Sequence, residues 1–135
     1  MVPLGTWTLR MRRPVVLAGT PAGTRVIVEF TDIVAEGRVA GRRSGPLAGD
    51  WLRIGPEGTA ILDIRFCLET EDGALLYVHG EGHTDSAGFA TGAPTWFFPR
   101  VETADARYAW LHRAPLVAKG RAEGEVVVFE VAEVR

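Results

Sequence analysis

The stretch Thr59–Thr70 constrains the fold of this chain more than any other. Ala60, Leu62, Ile64, Phe66 and Leu68 alternate with Thr59, Ile61, Asp63, Arg65, Cys67 and Glu69. A period of two puts alternate side chains on opposite sides of an extended strand. One side is therefore uniformly apolar, and the other carries Asp63 and Arg65. Glu71-Asp72-Gly73 reads as a tight turn. Ala74 to His83 returns as the hairpin partner, with Leu75, Tyr77, His79, Glu81 and His83 on one face and Ala74, Leu76, Val78, Gly80 and Gly82 on the other.

The rest of the chain follows the same grammar. Short runs of Val, Ile, Leu, Thr and aromatics are punctuated every eight to fifteen residues by Gly or Pro, the spacing of an all-β protein. Strands are expected at 4–11, 25–34, 52–54, 59–70, 74–83, 95–102, 115–119 and 125–134, with a weaker continuation at 37–43. Pro14–Gly23 and Asp85–Gly92 read as loops. Thr103–Leu111 offers one helical turn, with Thr103 as N-cap and Asp105 in the first turn. This predicts an all-β fold, a single domain over 1–135, with about eight to ten strands and at most one short helical turn. An open sheet of that size would expose two long edges, so the chain is expected to close into an antiparallel barrel or fold into a sandwich.

Composition narrows the function classes. With 135 residues the chain can bury a core without disulfides or metal. Its net charge of −2 leaves no electrostatic footprint for nucleic acid or an anionic membrane. Cys67 is the one cysteine and sits in an apolar strand, so it reads as a buried, inert thiol. Met1–Arg13 lacks the apolar segment of a secretory signal. No apolar run approaches the roughly 18 residues of a spanning helix. A soluble, cytoplasmic protein is the expectation. The chain has no Asn and no Gln, so polar contacts to a ligand must come from charged groups, His, hydroxyls, Trp or backbone.

Several residues are placed for chemistry. Asp63 and Arg65 share a strand face. From the residues alone that face points outward as a surface ion pair or inward as a lumenal pair with equal weight. His79-Gly80-Glu81-Gly82-His83 suggests a metal site, but a strand rises about 3.3 Å per residue, so His79 and His83 start roughly 13 Å apart. Three in-line ligands cannot converge on one ion, and no metal is expected. His79 is a candidate acid or base. Trp51, Trp96, Phe98, Tyr108 and Trp110 are candidates to surround a cavity, with core packing as the alternative for each. Asp50 is either a turn cap or a second lumenal carboxylate, and the turn is the preferred assignment. No nucleophile motif or phosphate loop is present.

Read together, Gly49-Asp50-Trp51-Leu52, Gly58-x-x-x-Leu62-Asp63-x-Arg65 and Thr70-Glu71-Asp72-Gly73-Ala74-Leu75-Leu76-Tyr77 resemble the DUF3237 family, also called UPF0311. Val101-Glu102-Thr103, Arg107-Tyr108-x-Trp110-Leu111-His112 and Gly23-x-Arg25-Val26 extend the resemblance over nearly the whole chain. His112 stands where the family usually has Asn. The resemblance implies a single antiparallel β-barrel with a central cavity, often in homo-oligomers, and no generally established activity. Because both residues belong to its pattern, it favours the lumen for Asp63 and Arg65. It also adds Tyr77 and His112 to the ligand contacts.

The resulting expectation is a cofactor-independent enzyme of isomerase, lyase or cyclase type, acting on an apolar, carbonyl-bearing substrate in the lumen. Arg65 would stabilise charge, and Asp63 or His79 would move a proton. The rivals are a non-catalytic binder of a hydrophobic small molecule and a structural oligomeric barrel.

Overall fold

The computed structural model describes residues 1–135, and its regular structure is almost entirely β. The strands are β1 (Val2–Met11), β2 (Val15–Thr20), β3 (Gly23–Gly37), β4 (Gly41–Arg43), β5 (Gly49–Ile54), β6 (Thr59–Thr70), β7 (Leu75–Asp85), β8 (Thr95–Phe97), β9 (Arg100–Glu102), β10 (Leu116–Glu123) and β11 (Val126–Glu133). The alternating segment at 59–70 forms β6 over the expected length. It runs against β7 in unbroken register from Thr59↔Asp85 to Glu69↔Leu75.

Eight strands close a circuit in the order β6–β5–β3–β1–β11–β10–β8–β7 and back to β6, every pairing antiparallel. Closure removes the edges that an open sheet would expose. Three short strands decorate the wall. β4 bridges β3 and β6, β9 adds to β7, and β2 folds back on the first part of β3. Two of these refine the sequence reading. Pro14–Gly23 holds the strand β2 rather than a loop only. The aromatic segment 95–102 splits into β8 and β9, and Pro99 between them has no N–H to donate to a ladder.

The helical turn expected near 103–111 is a 3-10 helix at Ala106–Arg113. Its cap is Asp105, whose side chain accepts from the Arg107 N–H at 2.9 Å, rather than Thr103. A second 3-10 turn, Phe89–Thr91, lies in the loop after β7.

The inside of the barrel is set by the period of two. Ala60, Leu62, Ile64, Phe66 and Leu68 are all buried, as are Leu76 and Val78 of β7 and Val127, Phe129 and Val131 of β11. At the end of the barrel near the β6–β7 turn, the interior is filled solid. Leu4, Trp7, Ile33, Val39, Leu68 and Leu76 pack there, and Trp7 meets Phe66 edge-on at 6.1 Å. The indole N–H of Trp7 is buried without a hydrogen-bond partner.

The His-Gly-Glu-Gly-His run owes its glycines to this packing. A Cβ on Gly82 would lie 2.0 Å from the Trp96 carbonyl oxygen. Only a residue without one lets β7 pass so close to β8.

Candidate functional site

At the other end the barrel does not fill. A cavity of about 440 Å³ opens there between the Arg12–Pro14 link, Ser86 and Phe89 of the loop after β7, and Glu125. A volume of this order suits a small organic molecule. Its walls are Val26, Val28 and Phe30 of β3, Leu52 and Ile54 of β5, Ala60, Leu62 and Ile64 of β6, and Val127 and Phe129 of β11. These are the inward positions of their strands, so the cavity is the unfilled half of the same core.

Three buried polar side chains interrupt this apolar lining: Asp50, Thr84 and Thr95. The two hydroxyls belong to each other. Thr95 Oγ1 lies 3.1 Å from Thr84 Oγ1, which in turn donates to the Pro94 carbonyl at 3.1 Å. Asp50 is the one titratable group among the buried lining residues, and it is 6% exposed.

Asp50 is held by a local opening of the sheet. β5 and β6 pair at Asp50↔Ile64 and again at Arg53↔Ile61, but Trp51 and Leu52 between them are unpaired. The freed backbone groups find side chains instead. The Asp63 N–H donates to Asp50 Oδ1 at 2.9 Å, and the Trp51 carbonyl accepts from Arg25 Nη1 at 2.8 Å. Burial pushes the Asp50 carboxyl up from 3.8 to about 7. The Asp63 amide opposes that rise, and the charge of the Asp63 carboxylate adds to it. The group therefore exchanges its proton near neutral pH inside an apolar chamber, where acid–base chemistry is most effective.

The lumenal placement of Asp63 and Arg65 is corrected by the structure. The apolar face of β6 points inward, so both side chains stand on the outer wall, Arg65 55% exposed. They form a forked ion pair, with Nε to Oδ1 at 3.2 Å and Nη2 to Oδ2 at 2.9 Å, and Arg65 lies over Trp51 at 5.7 Å. His79 is on the same outer face. It pairs with Arg65 across the strands and stacks on Tyr77 at 4.8 Å. Cys67, read as buried, is half-buried on that face as well.

The expected aromatic lining is displaced outward by the same parity. Trp96 sits against Lys119 and Phe98 against His83, both outside the barrel. Tyr108 donates to Asp72 in the β6–β7 turn at 2.8 Å, Arg38 lies over Trp110 at 4.8 Å, and His112 Nε2 accepts the Thr103 N–H at 3.1 Å. None of Trp51, Tyr77, Trp96, Phe98, Tyr108, Trp110 and His112 lines the cavity. No group of three or more His, Cys, Asp or Glu side chains converges as metal ligands would. No helix is long and apolar enough to cross a membrane.

The residue that sequence reasoning undervalued is Asp50. Its signal was parity: Asp50, Leu52 and Ile54 alternate with Trp51 and Arg53, so one carboxylate interrupts an apolar face. Starting the strand at Leu52 hid that pattern, whereas β5 begins at Gly49.

A closed eight-stranded barrel with an apolar chamber and one buried carboxyl in the chamber wall defines the class of protein. The chain belongs to the DUF3237 family, described as a protein of unknown function, whose profile matches residues 1–134. It is 28% identical over 141 residues to a UPF0311 protein of Bradyrhizobium diazoefficiens, covering 96% of this chain and 92% of that one. Among solved structures it is similar to a conserved protein of unknown function from Rhodopseudomonas palustris, with a TM-score of 0.89, 24% identity, and coverage of 99% of this chain and 96% of the other. A β-barrel-like protein from Acinetobacter baumannii gives a TM-score of 0.81 at 25% identity, covering 99% and 94%. An enzyme from Penicillium herquei shares the fold at a TM-score of 0.64 and 15% identity, covering 98% and 96%.

Proposed function

We propose that the chain is a cofactor-independent acid–base enzyme of isomerase, lyase or cyclase type, and that Asp50 rather than the Asp63–Arg65 pair moves the proton. The substrate is an apolar, carbonyl-bearing small molecule held in the cavity. The observation that carries this reading is the isolation of one carboxyl, raised to about 7, among apolar cavity walls.

Ionised, Asp50 removes a proton from the carbon next to the carbonyl. The neutral acid then returns that proton at another position, or donates to the developing oxyanion. The apolar walls exclude water and hold the reacting atoms in place. The enzyme from Penicillium herquei supports the reading only to the extent that a barrel of this shape houses catalysis in that protein.

A binder without turnover is the second reading, and one observation favours it. The Thr95 hydroxyl donates to Thr84 Oγ1 and the Thr84 hydroxyl to the Pro94 carbonyl, so neither proton is free to hold an oxyanion.

Deuterium incorporation next to the carbonyl of apolar ketones, beginning with 1-tetralone, separates the two. Incubated in D2O and followed by NMR, the native protein is expected to exceed the buffer rate, and Asp50→Asn to lose roughly 10²-fold of that excess. Binding with no exchange above buffer across the ketone panel would instead support the binder.

A further inference from the structure

Past Met11 the chain leaves its ladder with β3 and then rejoins it. Met11 lies opposite Phe30, and Val15 opposite Ile27. Arg12, Arg13 and Pro14 therefore face only Val28 and Glu29, one residue too many for regular pairing. The Arg12 N–H still reaches the Glu29 carbonyl at 2.9 Å, whereas Pro14 has no N–H to give. The extra residue makes a bulge, the irregularity by which a strand re-aims a side chain next to a site. A proline also confines the residue before it to extended backbone, so Arg13 is held stiffly on this bulge.

The bulge forms part of the cavity mouth, where Arg12, Arg13 and Glu125 are the charged groups. Glu125 is met by Arg10 at 3.5 Å, and Arg12 by Glu29 at 3.5 Å. Arg13 alone has no ion-pair partner, and its side chain makes no hydrogen bond. Its guanidinium is an uncompensated cation on the lip of an apolar chamber. Arg13 and Asp50 flank the same stretch of β3. Asp50 pairs with Val28 from one side, and the bulge lies against Val28 and Glu29 from the other. Two strand spacings separate their backbones, about 10 Å along the wall.

We infer that Arg13 binds a carboxylate of the substrate, which is an amphipathic keto acid: its apolar body fills the cavity, its carbonyl faces Asp50, and its carboxylate stays at the rim. The inference rests on the acid–base reading above and narrows its substrate class. The planar fork of a guanidinium matches a carboxylate with two parallel hydrogen bonds. Asp50 fixes the direction of entry, because an ionised Asp50 repels a second carboxylate placed beside it. The acid end is left at Arg13 and the carbonyl end goes inward. Arg13 is exposed, so water weakens the pairing and its effect on affinity is modest.

Calorimetric titration with 2-naphthylacetate and its neutral counterpart 2-naphthylacetamide tests the inference. The native protein is expected to bind the acid about fivefold or more tightly than the amide. Arg13→Met is expected to bring the two affinities within about twofold of each other, and Arg13→Lys to keep part of the preference. Salt at about 0.5 M should weaken the acid and leave the amide nearly unchanged. Equal affinities for the native protein would overturn the inference, as would failure of the acid to bind or a preference that survives in Arg13→Met. The comparison within the native protein stays decisive if the variants fold poorly. Deuterium exchange of 1-tetralone, which has no carboxylate, is scored separately. A preference for the acid without exchange supports Arg13 as the carboxylate-binding residue while removing the catalytic reading. Exchange without the preference overturns the role of Arg13 alone.

Discussion

Asp50→Asn isolates the energetic consequence of burying one carboxyl in the chamber. The Asp50 carboxyl rises from 3.8 to about 7 on folding. Between those values the folded protein binds a proton that the unfolded chain has released, so stability falls as pH rises through the interval. Well below 3.8 both states are protonated and no cost is present. Above pH 7 the full cost applies, about 4 kcal/mol at 1.36 kcal/mol for each pH unit. Over pH 5 to 8 the native protein should lose about 2.5 kcal/mol from this group alone. Asn keeps an oxygen for the Asp63 N–H and does not titrate. The difference between Asp50→Asn and the native protein should therefore widen in favour of the variant by that amount. Urea unfolding followed by Trp fluorescence at pH 5 and pH 8 measures it, and titrating groups remote from Asp50 cancel in the comparison. Parallel pH dependences for the two proteins would refute the reasoning.

Five further substitutions probe the surrounding structure. Asp63→Asn and Arg65→Met, made separately, should leave the melting temperature and cavity binding of an apolar fluorescent probe unchanged, because the pair is on the outer wall; loss of probe binding would return it to the site. Gly82→Ala should unfold the barrel or lower its melting temperature severely, since the added carbon meets the Trp96 carbonyl at 2.0 Å. Trp7→Ala should cost about 3–5 kcal/mol in urea unfolding through the void it leaves. Trp7→Phe should cost much less, because it also removes a buried N–H that has no partner.

The barrel was legible in the sequence because its walls obey a period of two that little else produces. β6 and β7 were delimited closely by alternation and by the Glu71-Asp72-Gly73 turn, and β11 by its β-branched run. β2 was hidden between prolines, where an uncharged Val-Val-Leu run reads as connection as easily as strand. The site was less legible, and the reason is physical. The apolar face of β6 already satisfied the interior, which left Asp63, Arg65 and His79 outside; the family pattern had favoured the opposite face. Asp50 became visible only when β5 was seen to begin at Gly49 and to open its ladder at Trp51 and Leu52. No spacing rule reports such an opening, because it depends on Arg25 reaching the Trp51 carbonyl from the neighbouring strand.

The central claim, one proton-exchanging carboxyl inside an apolar cavity, is tested most directly by carbon-13 NMR titration of the protein labelled at Asp side-chain carboxyls. Asp50→Asn assigns the resonance. The account predicts that this carboxyl titrates near 7, apart from the other aspartates, and that a bound apolar ketone shifts it. A midpoint in the ordinary carboxylate range, near 4, would contradict it.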